Sequence, residues 1–284
     1  MRQDPARESL QQTCPDRVIP GECSNGCAFG ITGKGFNMKT TRGTAGIDYL
    51  TGKAKPDYIL GLEGDDVIRG NGGSDRLDGG VGHDYAFGGN GDDRIFGETG
   101  NDFLFGDAGS DMIRGGDGND IIVGGTEDDV LQGDAGDDRM FSITGDDRMQ
   151  GGLGNDYYEI GVGFVTALDI SGSDEYVINT AGNVTIDDTG GADKIRFKDL
   201  DGETTVTVDD LVFRRFGDDL FITIDGTAGE TTLTSFYSQD KAHRIERLYD
   251  EDKDASTGYD LAIDAILNLE SGGASIDGSD VWDL

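Results

Sequence analysis

The sequence predicts an all-β fold, a solenoid of very short strands stacked on copies of themselves. Three observations lead there. An aspartate recurs every nine residues, thirteen times running, from Asp48 to Asp156. Two places after each stands an apolar residue, in order Leu50, Ile59, Ile68, Leu77, Ala86, Ile95, Leu104, Ile113, Ile122, Leu131, Met140, Met149 and Tyr158. A glycine-rich run precedes each aspartate, and no insertion breaks the register. A fixed period of this kind is the signature of a repeat architecture. The nine residues divide into six that turn, ideally Gly-Gly-x-Gly-x-Asp, and three that extend. Glycine permits the positive φ that curls the chain. Period-two geometry sends the middle residue of the strand inward. A three-residue strand cannot stand alone, so the units must stack.

Elements follow in chain order. Residues 1–42 read as an irregular lead-in. Within it Cys14, Cys23 and Cys27 form an odd set, read as a disulfide or free thiols. A zinc site would need a fourth ligand, and the only histidines, His83 and His243, are distant in sequence. Residues 43–177 form the repeat, residues 178–250 a β-rich flanking and capping region, and residues 251–284 a C-terminal tail. The β-rich runs are Ile195–Phe197, Thr204–Val208, Leu211–Phe216, Leu220–Ile224, Thr231–Tyr237 and Ile245–Tyr249. Asp260–Glu270 has the apolar spacing of a short amphipathic helix.

Composition narrows the function. Aspartate and glutamate outnumber lysine and arginine by 57 to 23, a formal net charge of -34. That field disfavours nucleic acid and anionic membrane surfaces and suits cations. A chain this acidic and rich in glycine could be disordered, but disorder has no use for a nine-residue apolar period. No run of eighteen apolar residues offers a membrane span, and Met1–Leu10 has no apolar core of a secretory signal.

The units Gly61-Leu62-Glu63-Gly64-Asp65-Asp66-Val67-Ile68-Arg69 and Gly115-Gly116-Asp117-Gly118-Asn119-Asp120-Ile121-Ile122-Val123 show the pattern in full. The segment 43–159 resembles the RTX family, the haemolysin-type calcium-binding repeats, whose motif is Gly-Gly-x-Gly-x-Asp-x-apolar-x. The resemblance implies a right-handed parallel β-roll solenoid with two nonapeptides per turn and a β-rich C-terminal cap. It also implies several calcium ions between turns. The implied ligands are Asp48, Asp66, Asp75, Asp84, Asp93, Asp102, Asp111, Asp120, Asp129, Asp138, Asp147 and Asp156, with Asp57 and Asp174 weaker. Turn carbonyls near Gly61, Gly64, Gly79, Gly82, Gly88, Gly91, Gly97, Gly100, Gly106, Gly109, Gly115 and Gly118 complete the implied set. Calcium suits carboxylate and carbonyl oxygens, six to eight at a time, and magnesium demands a tighter octahedron.

An eighteen-residue turn splits the ladder into two edges. The odd edge runs Asp48, Asp66, Asp84, Asp102, Asp120, Asp138, Asp156. The even edge runs Asp57, Asp75, Asp93, Asp111, Asp129, Asp147. Irregular units fall on the even edge: Lys53, Lys55 and Pro56 in one, Glu127 at a glycine position in another, Ser142 opening a third. Asp174 continues the odd edge, whereas Val165 ends the even one. The odd-edge sites are therefore expected to be tighter and more numerous. The odd sheet also presents Tyr85, Phe87, Phe103, Phe105, Ile121, Val123 and Phe141 outward. Such an apolar stripe is either covered by the C-terminal segment or used for self-association or a protein partner. His83 falls at a variable turn position and reads as solvated or calcium-adjacent.

Calcium then acts as a folding switch, with the chain unfolded where calcium is scarce and folded where it is abundant. The resemblance implies secretion to the extracellular space of a Gram-negative bacterium by type I export, through an uncleaved C-terminal signal. No enzyme is expected. Only 42 residues precede the roll, and neither H-E-x-x-H nor G-x-S-x-G occurs. Carboxylate pairs such as Asp65/Asp66 and Asp137/Asp138 are products of the repeat and not a glycosidase pair. The function read from the sequence is an exported calcium-binding repeat protein with a structural or adhesive role. The alternatives are a carbohydrate-binding accessory module, and a secreted enzyme whose site lies in 160–284.

Overall fold

A computed structural model describes residues 38–179, 181–198, 211–216, 218–224, 227, 229–234, 245–249 and 275–277. The three cysteines, His243, Thr204–Val208, the expected helix at Asp260–Glu270 and the end of the chain lie outside them. Among the described residues every regular element is a strand. The first eight are β1 (Lys39–Arg42), β2 (Tyr49–Thr51), β3 (Asp57–Glu63), β4 (Val67–Gly72), β5 (Arg76–Val81), β6 (Tyr85–Asn90), β7 (Arg94–Thr99) and β8 (Phe103–Ala108). Then come β9 (Met112–Asp117), β10 (Ile121–Thr126), β11 (Val130–Ala135), β12 (Arg139–Thr144), β13 (Arg148–Leu153), β14 (Tyr157–Val162), β15 (Phe164–Asp169) and β16 (Glu175–Asn179). The last are β17 (Asn183–Asp188), β18 (Asp193–Lys198), β19 (Leu211–Phe216), β20 (Asp219–Ile224), β21 (Glu230–Leu233), β22 (Ile245–Tyr249) and β23 (Ser275–Asp277).

Strands alternate between two sheets. Odd-numbered strands up to β17 build one, continued by β21, β20, β19 and β23, and even-numbered strands up to β18, continued by β22, build the other. Pairing along the roll is parallel, giving a β-solenoid of about nine turns. Register is set by the repeat: Ile121 pairs with Arg139 and with Phe103, eighteen residues away on either side. The offset grows to nineteen where Phe164 meets Asn183 and Glu175 meets Lys194. Beyond that, β19 and β20 pair antiparallel, as do β20 and β21, so one sheet ends in a different pattern from the one that built it.

Two boundaries differ from the sequence reading. Lys39–Arg42, assigned there to the lead-in, form β1 and pair with β3. Most repeat strands are six residues long, not three, because the ladder runs on through the first positions of the next turn. Of the β-rich C-terminal runs, Leu211–Phe216 and Ile245–Tyr249 coincide with β19 and β22. The described C-terminal strands extend the two sheets edge to edge rather than crossing the aromatic stripe.

The core is built from two files of inward side chains, one from each sheet, in one cluster. Ile59, Ile68, Leu77, Ala86, Ile95, Leu104, Ile113, Ile122, Leu131, Met140, Met149 and Tyr158 are all fully buried. Each nine-residue unit thus contributes one such apolar residue, stacked on those above and below. Backbone shape explains the glycines. The fourth turn position is left-handed, as at Gly100 (φ 133). A Cβ there would collide with the carbonyl of Gly82 in the neighbouring turn. The second position is left-handed as well, even where it carries a side chain: Leu62 (φ 95), Asn71 (φ 75), Glu98 (φ 75), Asp107 (φ 74) and Asp134 (φ 76). Its free variation in sequence therefore hides a conformational constraint.

Outward aromatics stack along the roll. Tyr85 lies on Phe103 with ring centroids 4.7 Å apart, Phe87 on Phe105 at 5.0 Å, and Arg69 covers Phe87 at 4.9 Å. Ile121, Val123 and Phe141 are half-buried in the same sheet. The other sheet mixes polar and apolar groups outside, with Arg76 over Phe96 at 4.2 Å, an Arg114–Asp134 ion pair, and Met112 and Phe164 exposed.

Candidate metal centre

The sixth position of every unit closes a turn, and its aspartate is turned inward by the strand that follows. Asp66, Asp75, Asp84, Asp93, Asp102, Asp111, Asp120, Asp129, Asp138, Asp147, Asp156 and Asp174 are all at most 2% exposed. One carboxylate oxygen has a structural task. Oδ1 of each accepts the backbone N–H of the aspartate one turn earlier: Asp48 to Asp66 at 2.7 Å, Asp66 to Asp84 at 2.7 Å, and on to Asp156 to Asp174 at 2.7 Å. The odd-edge ladder reaches one rung past Asp174, where Asp174 N–H donates to Asp193 at 2.9 Å.

In all of these but Asp147 the second oxygen has none. Oδ2 receives no hydrogen bond in Asp66, Asp84, Asp102, Asp120, Asp138, Asp156 and Asp174 on the odd edge, or in Asp75, Asp93, Asp111 and Asp129 on the even edge. Buried polar atoms are nearly always paired, and an unpaired buried carboxylate oxygen is costly. Eleven repetitions of this arrangement offer the same unshared oxygen to a ligand.

From Asp66 to Asp156 the space each orphan oxygen faces lies over the Cα of the first-position glycine in its own unit. At Gly97 an added Cβ would press on Asp102 Oδ2 and lie 2.7 Å from the Gly115 carbonyl oxygen. At Gly115 it would press on Asp120 Oδ2 and lie 2.9 Å from Gly133 O, and at Gly133 on Asp138 Oδ2 and 2.7 Å from Gly151 O. The same cradle recurs at Gly61, Gly70, Gly79, Gly88 and Gly106. Glycine is needed at these places because any side chain fills the cradle. A carboxylate oxygen and a carbonyl oxygen from the adjacent turn face one another across it, which is a hard-oxygen donor set.

Several expected residues fall out differently. Asp48 Oδ2 is occupied by Thr44, whose N–H and hydroxyl donate at 2.6 and 2.9 Å. Asp57 Oδ2 accepts the N–H of Lys53 at 2.7 Å. At the start of the roll the turn closes on its own carboxylate. Asp147 Oδ2 is held by the hydroxyl of Ser142, which stands at the first position in place of glycine. Asp129 keeps its cradle although Glu127 replaces the fourth-position glycine, because Glu127 takes up the left-handed conformation itself (φ 80). Ile160 and Val165 close the even edge with buried apolar side chains. Of the turn carbonyls, first-position ones such as Gly79, Gly88, Gly97, Gly106 and Gly115 meet the orphan carboxylates. Fourth-position ones, Gly64, Gly82, Gly91, Gly100, Gly109 and Gly118, face the next turn's fourth residue. Gly70, Gly124, Gly133 and Gly151 belong with the first set and were legible from the same period.

His83 is part of a second, exposed ladder on the odd edge. Its N–H donates to Asp65 at 2.9 Å and its Nδ1 accepts the N–H of Asn101 at 2.7 Å. Asn101, Asn119, Asp137, Asn155 and Ser173 continue it, each accepting from the turn that follows.

From Asp66 to Asp174, burial raises the ladder carboxyls above their usual range. The backbone hydrogen bond to Oδ1 opposes the rise, and neighbouring aspartates add to it. Asp75, Asp102, Asp111 and Asp120 are pushed up to about 6, Asp84, Asp93, Asp129 and Asp174 to about 7, and Asp138 to about 8. Without a counter-ion the higher of these groups, Asp138 above all, retain protons near neutrality, so a cation binding there displaces them.

A parallel β-solenoid with regularly stacked, unsatisfied oxygen donors defines a cation-binding repeat. The sequence model of the RTX calcium-binding nonapeptide repeat, four copies long, matches residues 42–77, 52–86, 78–113, 87–122, 114–142 and 144–163. This part of the chain consists of RTX calcium-binding repeats. No curated protein matches the chain.

Proposed function

We propose that this chain is an exported, non-catalytic calcium-binding protein whose β-roll folds as calcium fills the cradles, and which then serves as a structural or adhesive scaffold. The observation that carries the reading is the row of buried Oδ2 atoms without a hydrogen-bond partner. Asp66 through Asp138 would hold the ions together with first-position carbonyls from the adjacent turn. Bound calcium supplies positive charge that neutralises carboxylates otherwise forced together in a dry interior. Repeats of this family are typical of secreted proteins, and the free calcium outside cells reaches the range in which extracellular modules bind, about 10⁻⁴–10⁻³ M. Among the described residues no helix is long and apolar enough to cross a membrane.

An adhesive role is supported by the stacked aromatic stripe of Tyr85, Phe87, Phe103 and Phe105, with Tyr85 43% exposed. Circular dichroism of the full chain with calcium and with chelator tests the switch. A β spectrum that appears only with calcium is the expected result. A complete β spectrum in chelator at neutral pH overturns it.

A further inference from the structure

In the repeats the first turn position is glycine, and its empty side faces the carboxylate five residues on, as Gly61 faces Asp66. After Asp156 the odd edge changes this residue. Asp169 stands five residues before Asp174, and Asp188 stands five before Asp193. They keep the turn spacing, since Gly151, Asp169 and Asp188 follow one another at 18 and then 19 residues, the offsets of the strand register. A carboxylate is thus placed in the cradle that glycine leaves open elsewhere.

The result is two buried groups of three. Carboxylate oxygens of Asp156, Asp169 and Asp174 lie within 4.8 Å of one another, and so do those of Asp174, Asp188 and Asp193. All five residues are at most 4% exposed. Neither Asp156 Oδ2 nor Asp174 Oδ2 receives a hydrogen bond. Over Gly151, Asp156 Oδ2, Asp169 Oδ2 and the Tyr158 hydroxyl converge on one point.

A second change accompanies the first. The inward residue, aliphatic or Met from Ile59 to Met149, becomes Tyr158 and then Tyr176, whose rings stack at 4.6 Å. The Tyr158 hydroxyl donates to Asp169 and the Tyr176 hydroxyl to Asp188, the latter at 2.7 Å. Each added carboxylate is therefore oriented by a tyrosine introduced with it. The even edge does the reverse: Ser142 and Ile160 take the first position, Val165 and Val184 the sixth.

We propose that Asp156–Asp169–Asp174 and Asp174–Asp188–Asp193 form a second class of cation site, adjoining through Asp174, which binds calcium more tightly than the repeat cradles. Ligand charge sets calcium affinity in oxygen sites. These sites present three carboxylates where a repeat cradle presents one carboxylate oxygen and a carbonyl. Three such groups in a dry interior repel one another unless a cation lies between them. The inference rests on the calcium reading of the repeats only for the identity of the ion.

The test is calorimetric titration of the chelator-stripped full chain with calcium, for the wild type and for Asp169→Asn/Asp188→Asn. The wild type is expected to show a tight class ahead of a weaker one. The variant should lose the tight class, by at least tenfold in affinity, and keep both the weaker class and the calcium-saturated β spectrum. A tight class that survives in the variant, or one uniform class in the wild type, overturns the proposal and leaves the repeats untouched. A wild type that binds no calcium overturns the function proposed above. Should the variant not fold, terbium added to the wild type below one equivalent decides. Tyrosine-sensitised emission at full strength per ion from the first aliquot supports a tight site beside Tyr158 and Tyr176. Emission that rises only after further ions have bound overturns it.

Discussion

The hydroxyl of Ser142 donates a hydrogen bond to Oδ2 of Asp147. One serine in place of a glycine thereby supplies the partner that the other even-edge carboxylates, from Asp75 to Asp129, lack.

The substitution Ser142→Gly should reverse this and change sign with calcium. In chelator it removes a hydrogen bond to a carboxylate, a loss of about 1.5–3 kcal/mol. In calcium it opens a cradle, and at 100 times the dissociation constant the new ion contributes about 2.7 kcal/mol. Denaturant unfolding in both conditions, with calorimetric stoichiometry, checks it. The expected pattern is lower stability in chelator, recovery in calcium, and one additional ion.

Filling a cradle should have the opposite effect. Gly97 is not in the left-handed region, so Gly97→Ala adds little backbone strain, but its methyl group would crowd Asp102 Oδ2 and the Gly115 carbonyl. Overpacking of this kind costs about 1–3 kcal/mol. The calcium stoichiometry should fall by one, with the melting temperature lowered in calcium.

Acid should substitute for calcium in part. The folded-state carboxyls are raised from 3.8 to about 6 to 8, so between these limits the folded chain binds more protons than the unfolded one. Stability of the metal-free chain is then fullest below about pH 4 and is lost as pH rises through 6 to 8. Circular dichroism in chelator should show more β structure at pH 5 than at pH 8. Calcium affinity should run the other way, strengthening from pH 5 to 8 with proton release on binding.

The aromatic stripe should contribute to stability as well as surface. Phe103→Glu with Phe105→Glu removes the stacks on Tyr85 and Phe87, each worth about 0.5–1.5 kcal/mol. A lower melting temperature in calcium is expected. If the stripe joins copies of the chain, light scattering will also report a smaller particle for the variant.

Much of this was legible in the sequence because the repeat fixes two positions per unit. The aspartate ladder, the buried files from Ile59 to Tyr158 and the termination of the even edge at Val165 all follow from spacing. The irregular unit at Ser142 was legible too, and the orphan oxygens divide seven to four in favour of the odd edge. What was not legible depends on contacts across turns. The sequence shows Asp48 as one rung among thirteen, but its carboxylate is satisfied by Thr44. It shows Leu62 at a free position, but the backbone there is left-handed. Asp169, eighteen residues after Gly151, and Asp188, nineteen after Asp169, carried a signal in their spacing that the intact motif does not contain.

The two hydrogen-bond ladders on the odd edge run in opposite senses. At the sixth position a backbone N–H reaches forward to the next turn's carboxylate, as Asp84 does to Asp102 at 2.8 Å. At the fifth, the N–H of the later turn reaches back, as Asn119 does to Asn101 at 3.0 Å. Every cross-section of the roll is therefore a mould for the next one, with donors and acceptors interleaved on each cut face. An unprotected end would template another roll as readily as its own next turn, and fibres would grow head to tail. The antiparallel strands β19, β20 and β23, which carry no such pattern, close one sheet against that growth.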